Sequence, residues 1–514
     1  MAVLLLAVLL PLPSRPEAYR LSHFVPPPAD LAVIVLVLCL PVRGTAWLRA
    51  ALVAALAALS LWRLADLGMV VAFRRGFNPV LDLHLVASGW TLAAGTFGAA
   101  AAGAALAAAI LDFGAVFAAL HWALGGLTRL ARGAPATAAG SAVAAALLLV
   151  AAGAAPVLPQ AIAERAGRLQ AALANERDFA RDLSRDDLPP PDFAALAGRD
   201  VIVLFVESYG RAWLEAEPYA RTGRARLAAA EARLAAAGFA ARSGWMRAPT
   251  RGGQSWLSHG TAMSGLWTAG QARYDALLAS DRPSLNRLFA RAGWRTVAVM
   301  PAITRAWPEA AWFGYDMVLD RDRLGYRGRP FDWVTMPDQY TLAALDRLAR
   351  AGDGPPVMVE AALISSHAPW TPLPEILPWE AVGDGSAFDG RRRSGATPAE
   401  VWSAPDTIRA AYSRALDYAV EVVAQWVARS AGDALVVVLG DHQPAPLVAG
   451  PSVSAAVPIH VIARDARLLD RLPGRWSDGM LPGTDLAERS MADLREMLAT
   501  CFSTGGCDAP RTGG

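Results

Sequence analysis

The chain contains no lysine: its 48 basic residues are all arginine. A bias in genomic base composition accounts for this, and it removes lysine from any candidate site. Acidic residues are almost missing from residues 1–158, which are instead rich in Ala and Leu. Cysteine is scarce too. Cys39, Cys501 and Cys507 form no CxxC pair and no Cys/His finger spacing, so a zinc site built from thiolates is not expected. Nor is there a charge excess: a formal net charge of +2 supplies no electrostatic reason for a nucleic-acid partner. No internal repeat is apparent.

What is present is a hydrophobic surplus, unevenly placed. The content of 54% hydrophobic and 18% charged residues is unusual for a soluble protein. Residues 159–514 nevertheless have ordinary globular composition, and 514 residues suffice for two or more domains. Met1–Leu12 is a short apolar stretch, either the start of a first span or a signal-like segment. Leu31–Val42 falls short of the roughly 20 residues that a span requires. Trp47–Leu64, extendable to Phe73, and Ala136–Leu158 read as spans. The run from Gly89 to Leu127, broken by Asp112 and His121, reads as one long tilted helix or two short ones. Four to five membrane helices are therefore expected. With five spans and a cytoplasmic N-terminus, Arg43, Arg49, Arg129 and Arg132 fall inside and the C-terminal domain falls outside, against the vote of Arg15, Arg20, Arg74 and Arg75. Phe77-Asn78-Pro79, Asp82 and His84 read as an interfacial loop rather than an intramembrane pathway.

Residues 159–187 form a charged segment of helical character, a stalk or a helix on the membrane surface, that Leu188-Pro189-Pro190-Pro191 stops. The organisation predicted is an anchor at 1–158, a linker at 159–199 and a catalytic domain at 200–514. Near the end of that domain, Cys501 and Cys507 could pair through the flexible CFSTGGC loop in an oxidising compartment; two unrelated thiols are the other reading.

From Asp200 onward strands and helices alternate. Strands are predicted at Val201–Val206, Thr296–Met300, Val357–Ile364, Leu435–Leu439 and Ile459–Ala463. Helices are predicted at Arg224–Ala237, Leu285–Ala292, Pro337–Ala351, Asp406–Ala428 and Leu486–Leu498. In Asp406–Ala428 the apolar face is Ile408, Tyr412, Ala415, Ala419, Val422, Val423 and Trp426. The alternation predicts an α/β domain with a mostly parallel central sheet and helices on both faces. In such sheets ligands collect beyond the carboxyl ends of the strands. There the chain places Glu207, then Pro301 with Arg305 and Trp307, then Ser365-Ser366-His367, then Asp441-His442. Oxygen and imidazole donors in that mix suit Zn²⁺ or Mn²⁺.

A further element is Ala248–His259, APTRGGQSWLSH. The paired glycines allow the backbone close to a ligand, and Ser255 would stand at the start of a helix running to about Gly265. Free N–H groups there favour a phosphate or sulfate, and a Ser hydroxyl on a metal at that point is an activated nucleophile. An ordinary Ser N-cap is the plain alternative.

The ordered set VIVLFVESYG, GGQS before a helix, ISSHAPW and VVVLGDHQP resembles the lipoteichoic acid synthase, or phosphoglycerol transferase, branch of the alkaline phosphatase/sulfatase superfamily. The likeness covers about residues 200–465, with FGYD at Phe313–Asp316 and FDWVTMPDQ at Phe331–Gln339 as further landmarks, and it fits a membrane anchor. It implies a sulfatase-like catalytic domain with Glu207, Asp441, His442 and Ser255 as ligands of one divalent metal, Mn²⁺ first and Zn²⁺ or Mg²⁺ as alternatives. It implies Ser255 as nucleophile, where that branch usually has Thr. It implies His367 as the residue that binds phosphate and protonates the leaving group, and Arg305 and Trp307 as substrate contacts, although their spacing departs from the family's. Ser258 is a rival nucleophile and His259 a packing neighbour. Ala248-Pro249-Thr250-Arg251 has no cysteine nearby, so no formylglycine is expected.

The function so implied is transfer of a phosphoglycerol or phosphoethanolamine head group from a phospholipid donor to an envelope glycan or lipid acceptor. The enzyme would sit in a bacterial cytoplasmic membrane with its catalytic domain on the periplasmic or extracellular side. A sulfatase or phosphodiesterase on the same scaffold is the alternative. A protein of another class, which has lost catalysis and only binds a glycan or partner, is opposed by the filled core positions. A transporter is opposed by the size of the soluble domain.

Overall fold

The structure is a computed structural model of the chain. It describes residues 1–25, 27–39, 44–73, 76–78, 82, 85, 89–90, 93–94, 98–151, 154, 156–450 and 454–507. Arg43, Arg74, Arg75, Pro79 and His84 lie outside the described residues. Two compact units result, Met1–Asp178 and Phe179–Gly514.

In the first unit, runs of Ala and Leu form long helices, as their propensity dictates. Thr45–Ala72 and Ala99–Gly133 are, among the described residues, the two segments long and apolar enough to cross a membrane. The second covers residues 99–127 of the Gly89–Leu127 run as one helix. Ala2–Leu9, Asp30–Cys39 and Pro135–Ala151 have, among the described residues, 8, 10 and 17 helical residues, short of the ~20 of a full span. The expected span Ala136–Leu158 is thus divided. Among the described residues it is helical over Pro135–Ala151, Ala154 and Pro156 are not helical, and Leu158 opens the next helix, which runs to Leu183 with Pro159 in its first turn, where proline is tolerated. Leu6, Leu56, Phe117, Leu120 and Leu124 pack into this unit's apolar cluster.

In the second unit eleven strands are described: β1 Val201–Val206, β2 Ala240–Arg247, β3 Arg295–Met300, β4 Met317–Asp320, β5 Val357–Leu363, β6 Leu373–Pro374, β7 Arg392–Ser394, β8 Leu435–Gly440, β9 Ala456–Ala463, β10 Ser477–Asp478 and β11 Glu488–Ser490. The main sheet has the order β10-β2-β9-β8-β1-β5-β3-β4, with β11 beside β2. Its centre is parallel: β1 lies between β5 and β8, and Val206 is level with both Leu363 and Gly440. β3 and β4 continue that parallel half. The sheet is thus mostly parallel, as expected, but mixed: in the other half β9 is antiparallel to β8 and to β2. The expected strand Ile459–Ala463 therefore points away from the site edge. β2 is missing from the sequence reading because AARSGWMR has no continuous apolar run.

β1 is fully buried, and its side chains alternate between two cores. Ile202, Leu204 and Val206 join the layer under the helix Pro405–Ser430, and Val201, Val203 and Phe205 join the opposite layer. That helix buries the predicted stripe from Ile408 to Trp426. The predicted helix Leu486–Leu498 begins only at Asp493, because Glu488–Ser490 extend to pair with β2. Cys501 and Cys507 form a disulfide.

Candidate functional site

The level register of β5, β1 and β8 brings three strand ends to one place. Glu207 follows β1. Its N–H donates to Leu363 O (3.0 Å), and Ser366 Oγ donates to its carbonyl (2.6 Å), so both backbone groups are tied to the end of β5. Ser208 then turns the chain with φ +56°, a left-handed conformation rare outside glycine. The turn has three bonds to hold it. Ser208 N–H donates to Asp441 Oδ1 (2.7 Å), its hydroxyl donates to Glu207 Oε1 (2.7 Å), and its carbonyl accepts from Tyr412 OH (3.0 Å). Close approach at this edge also requires glycine: a Cβ on Gly440 would collide with Tyr209 O, and one on Gly210 with the Gln443 side chain.

Asp441 follows β8 and accepts the His442 N–H at Oδ1 (2.6 Å). The His442 ring is buried, with Nδ1 2.9 Å from Gln443 O. A carbonyl only accepts, so Nδ1 carries the hydrogen and the Nε2 lone pair faces the centre of the site. Nε2 is 3.4 Å from Glu207 Oε1, 3.5 Å from Asp441 Oδ2 and 3.2 Å from Ser255 Oγ. Ser255 Oγ is also 3.3 Å from Glu207 Oε2.

Ser255 arrives from a loop of unusual backbone. Gly252, Gly253 and Gln254 all have positive φ (+71°, +140° and +65°), which explains the paired glycines. Gly252 N–H donates to Gln443 O (2.8 Å), fastening the loop to the segment after β8. Gln254 is the N-cap, and Ser255 is the first residue of the helix Ser255–Ser264. The hydroxyl therefore sits at the positive end of a helix.

Two carboxylates buried together oppose ionisation. Burial and the charge of Glu207 push Asp441 up to about 6. Burial also raises Glu207, but His442, His367 and the Ser208 hydroxyl outweigh it and leave Glu207 below its ordinary value. Burial lowers His442, while Asp441 and Glu207 raise it more. The cluster thus favours a positive charge at its centre. One ligand atom each from Glu207, Asp441 and His442 lie within 4.8 Å of one another, so the three can hold a metal ion. Their mixed oxygen and imidazole set suits a divalent cation.

His367 lies past the end of β5, half-buried, and its charge is among those that lower Glu207. Its ring stacks on Trp333, with centroids 6.1 Å apart and planes at 18°. Arg305 and Trp307 are not brought to the cluster by any contact among the described residues. Arg305 is exposed on the loop after β3, and Trp307 packs on Phe313 and Tyr315 (5.7 and 5.9 Å). Ser258 is fully buried, which leaves it no face open to a substrate. His259 lies against Phe205, and its Nδ1 is 2.7 Å from Glu360 Oε1, inside the core.

Three residues around the site have positioning roles that the sequence did not reveal, although Ser366 was placed at a strand end and Asp338 lies in the FDWVTMPDQ landmark. Ser208 and Ser366 fix Glu207, and Asp338 fixes the loop that carries Ser366 and His367. Asp338 Oδ1 accepts from Ile364 N–H (2.8 Å) and Ser365 N–H (2.9 Å), and Ser365 Oγ accepts the Asp338 N–H (2.8 Å). The signal available was the acid at the first turn of a helix in the TMPDQ stretch.

A family model described as Sulfatase matches residues 199–456. No curated protein matches the sequence. Solved structures with similarity include the lipoteichoic acid synthase LtaP from Listeria monocytogenes, at 13% identity over 64% of this chain and 78% of that one, with a TM-score of 0.39. The C-terminal periplasmic domain of EptC from Escherichia coli is also 13% identical, over 61% of this chain and 86% of that one, with a TM-score of 0.39. The phosphoglycerol transferase GacH from Streptococcus pyogenes, solved with sn-glycerol-1-phosphate, is 12% identical over 65% of this chain and 82% of that one, again with a TM-score of 0.39.

Proposed function

Because the chain belongs to the sulfatase family, we propose that it is a membrane-anchored, metal-dependent transferase. It moves a phosphoglycerol or phosphoethanolamine head group from a phospholipid to an envelope acceptor through a Ser255-linked intermediate. The observation that carries this reading is Ser255 Oγ at a helix start, 3.3 Å from Glu207 Oε2 and 3.2 Å from His442 Nε2. The ordered motifs around Glu207, Ser255, His367 and Asp441 support the transferase branch over other members of the family.

Glu207, Asp441 and His442, joined by Ser255, would hold the ion, with Mn²⁺ first and Zn²⁺ or Mg²⁺ as alternatives. A bound divalent cation supplies Lewis-acid charge neutralisation and a lowered pKa for a hydroxyl beside it. In the chain's own chemistry, Ser255 Oγ loses its proton to solvent and attacks phosphorus, and the bond to the diacylglycerol oxygen breaks. His367 gives that oxygen its proton. The free N–H groups at the start of Ser255–Ser264 hold the phosphodiester now on Ser255. An acceptor hydroxyl attacks next and gives its proton back to His367, and the Ser255 oxygen leaves and takes a proton from solvent. Arg305 and Trp307 are proposed as more distant substrate contacts.

The proposed setting is the bacterial cytoplasmic membrane. The anchor is residues 1–158, with four to five spans, the linker is residues 159–199, and the catalytic domain is residues 200–514 on the periplasmic or extracellular side. The Cys501–Cys507 disulfide supports an oxidising compartment. The test is incubation of the full-length protein with phospholipids labelled in head group or acyl chain. Diacylglycerol release with a head-group phosphodiester trapped on Ser255 is expected. Turnover of an aryl sulfate, with phospholipids untouched, would replace this reading by the hydrolase.

A further inference from the structure

Beside His367 stands a short turn that the proposed chemistry does not use. Phe331 N–H donates to Val334 O (2.8 Å) and Val334 N–H to Phe331 O (3.1 Å), which closes a two-residue turn with Asp332 and Trp333 at its tip. Its stems are fixed. Phe331 and Val334 are buried, and Thr335 Oγ1 donates to Pro301 O (2.7 Å). Its tip is open. Asp332 is held at φ +58° in the left-handed region, and its exposed carboxylate has no hydrogen-bond or ion-pair partner among the described residues. Trp333 is 38% exposed, one of four exposed large apolar side chains described in the Phe179–Gly514 unit, with Trp256, Leu447 and Leu481. The turn is thus fixed at its stems and holds an indole beside the His367 ring, with a free carboxylate on the preceding residue.

We propose that Asp332 and Trp333 form a head-group subsite for an ammonium-bearing alcohol. The cation lies over the indole of Trp333, and the Asp332 carboxylate neutralises it. An indole face attracts a cation through its quadrupole, and an adjacent unpaired carboxylate adds to that attraction. The same pair repels an anion and leaves its charge unused by a neutral polyol. A two-carbon arm joins the phosphorus of a phosphoethanolamine group to its nitrogen. A phosphoryl group held at Ser255 and His367 would extend that arm towards the indole stacked on His367. The inference rests on the reading of Ser255 and His367 as the phosphoryl site, and it selects the ammonium head group over glycerol. Arg321 and Arg327 line a separate cavity of about 250 Å³ that Pro330 and Thr335 also border. Binding of anions there has to be told apart from binding at the turn.

The experiment uses the full chain in detergent as the Ser255→Ala variant, so that affinity is read without turnover. Calorimetric titration compares O-phosphoethanolamine, glycerol phosphate and inorganic phosphate. The expected result is at least about tenfold tighter binding of O-phosphoethanolamine than of the other two. Adding Asp332→Asn, which tolerates the same backbone conformation, collapses the preference to about twofold or less. Trp333→Leu does the same, and Trp333→Phe, which keeps a π face, retains most of it. Equal affinities for the three probes, or a preference that survives both Asp332→Asn and Trp333→Leu, overturn the proposal. Adduct formation on Ser255 is read separately, with wild-type protein and bis(p-nitrophenyl) phosphate. A head-group preference without an adduct sinks the transferase reading and leaves this subsite standing. An adduct without a preference does the reverse.

Discussion

Asp338 offers a quantitative test of how the site is held. Its carboxylate is fully buried, Oδ1 satisfies the N–H groups of Ile364 and Ser365, and Oδ2 has no hydrogen-bond partner. Replacing it with alanine leaves two buried donors unpaired, at about 1–3 kcal/mol each. Relief from the orphaned Oδ2 returns part of this, so a net loss of about 2–4 kcal/mol is expected. Asp338→Asn keeps an acceptor at Oδ1 and is expected to cost far less. The pH dependence separates the two effects. Burial raises the Asp338 carboxyl from its ordinary value of 3.8 to about 6. A raised pKa means that the folded state holds the proton more tightly. The associated stability is fully present below pH ~4 and is lost as pH rises through ~6. Two units amount to about 3 kcal/mol. Thermal unfolding of the full-length protein in detergent, followed by near-ultraviolet circular dichroism between pH 4 and 7, gives the comparison. Wild type should lose stability relative to Asp338→Asn as pH rises across that window. Parallel pH profiles, or an alanine variant as stable as wild type, would refute the reasoning.

Other outcomes are expected at the site itself. Ser255→Ala should abolish phospholipid turnover and the trapped adduct while bound metal stays near stoichiometric by atomic emission; retained turnover would remove Ser255 from the nucleophile's role. Asp441→Ala or His442→Ala should lower bound metal at least tenfold, as expected for loss of a ligand; unchanged content after dialysis would count against the site. Ser208→Ala removes one hydrogen bond to Glu207 Oε1, worth roughly 1–3 kcal/mol for a charged acceptor, and should weaken metal affinity without changing the fold. Reporter fusions after Leu158 should read as extracytoplasmic; a cytoplasmic signal would contradict the proposed orientation.

Much of the parallel half of the sheet was legible in the chain. Val201–Val206, Val357–Leu363 and Leu435–Gly440 are apolar runs too short for helices, each followed by polar residues, and local composition alone marks where they stop. Glu207, His367, Asp441 and His442 stand at those stops, and Ser255 follows a glycine pair whose positive φ angles explain its composition. Direction and pairing were less legible. β9 reads as apolar whichever way it runs, so its antiparallel course was hidden, and β2 has too mixed a composition to stand out. The helix expected from Leu486 starts at Asp493, because pairing of Glu488–Ser490 with β2 overrides the local helical pattern.

The sequence by itself determined the division into an apolar N-terminal part and an α/β part, and the residue types available at each strand end. It did so because burial and turn formation depend on residues near one another along the chain. Only the tertiary structure decided which ends stand level, that His442 turns Nε2 inward, and that Ser208, Ser366 and Asp338 hold Glu207 and its neighbouring loop in place. The same holds for the separation of Arg305 and Trp307 from the cluster and for the stacking of Trp333 on His367. Apart from the neighbour bonds Ser208–Glu207 and His442–Gln443, these relations join residues tens to hundreds of positions apart. Strand register and packing set them, and no local pattern encodes them.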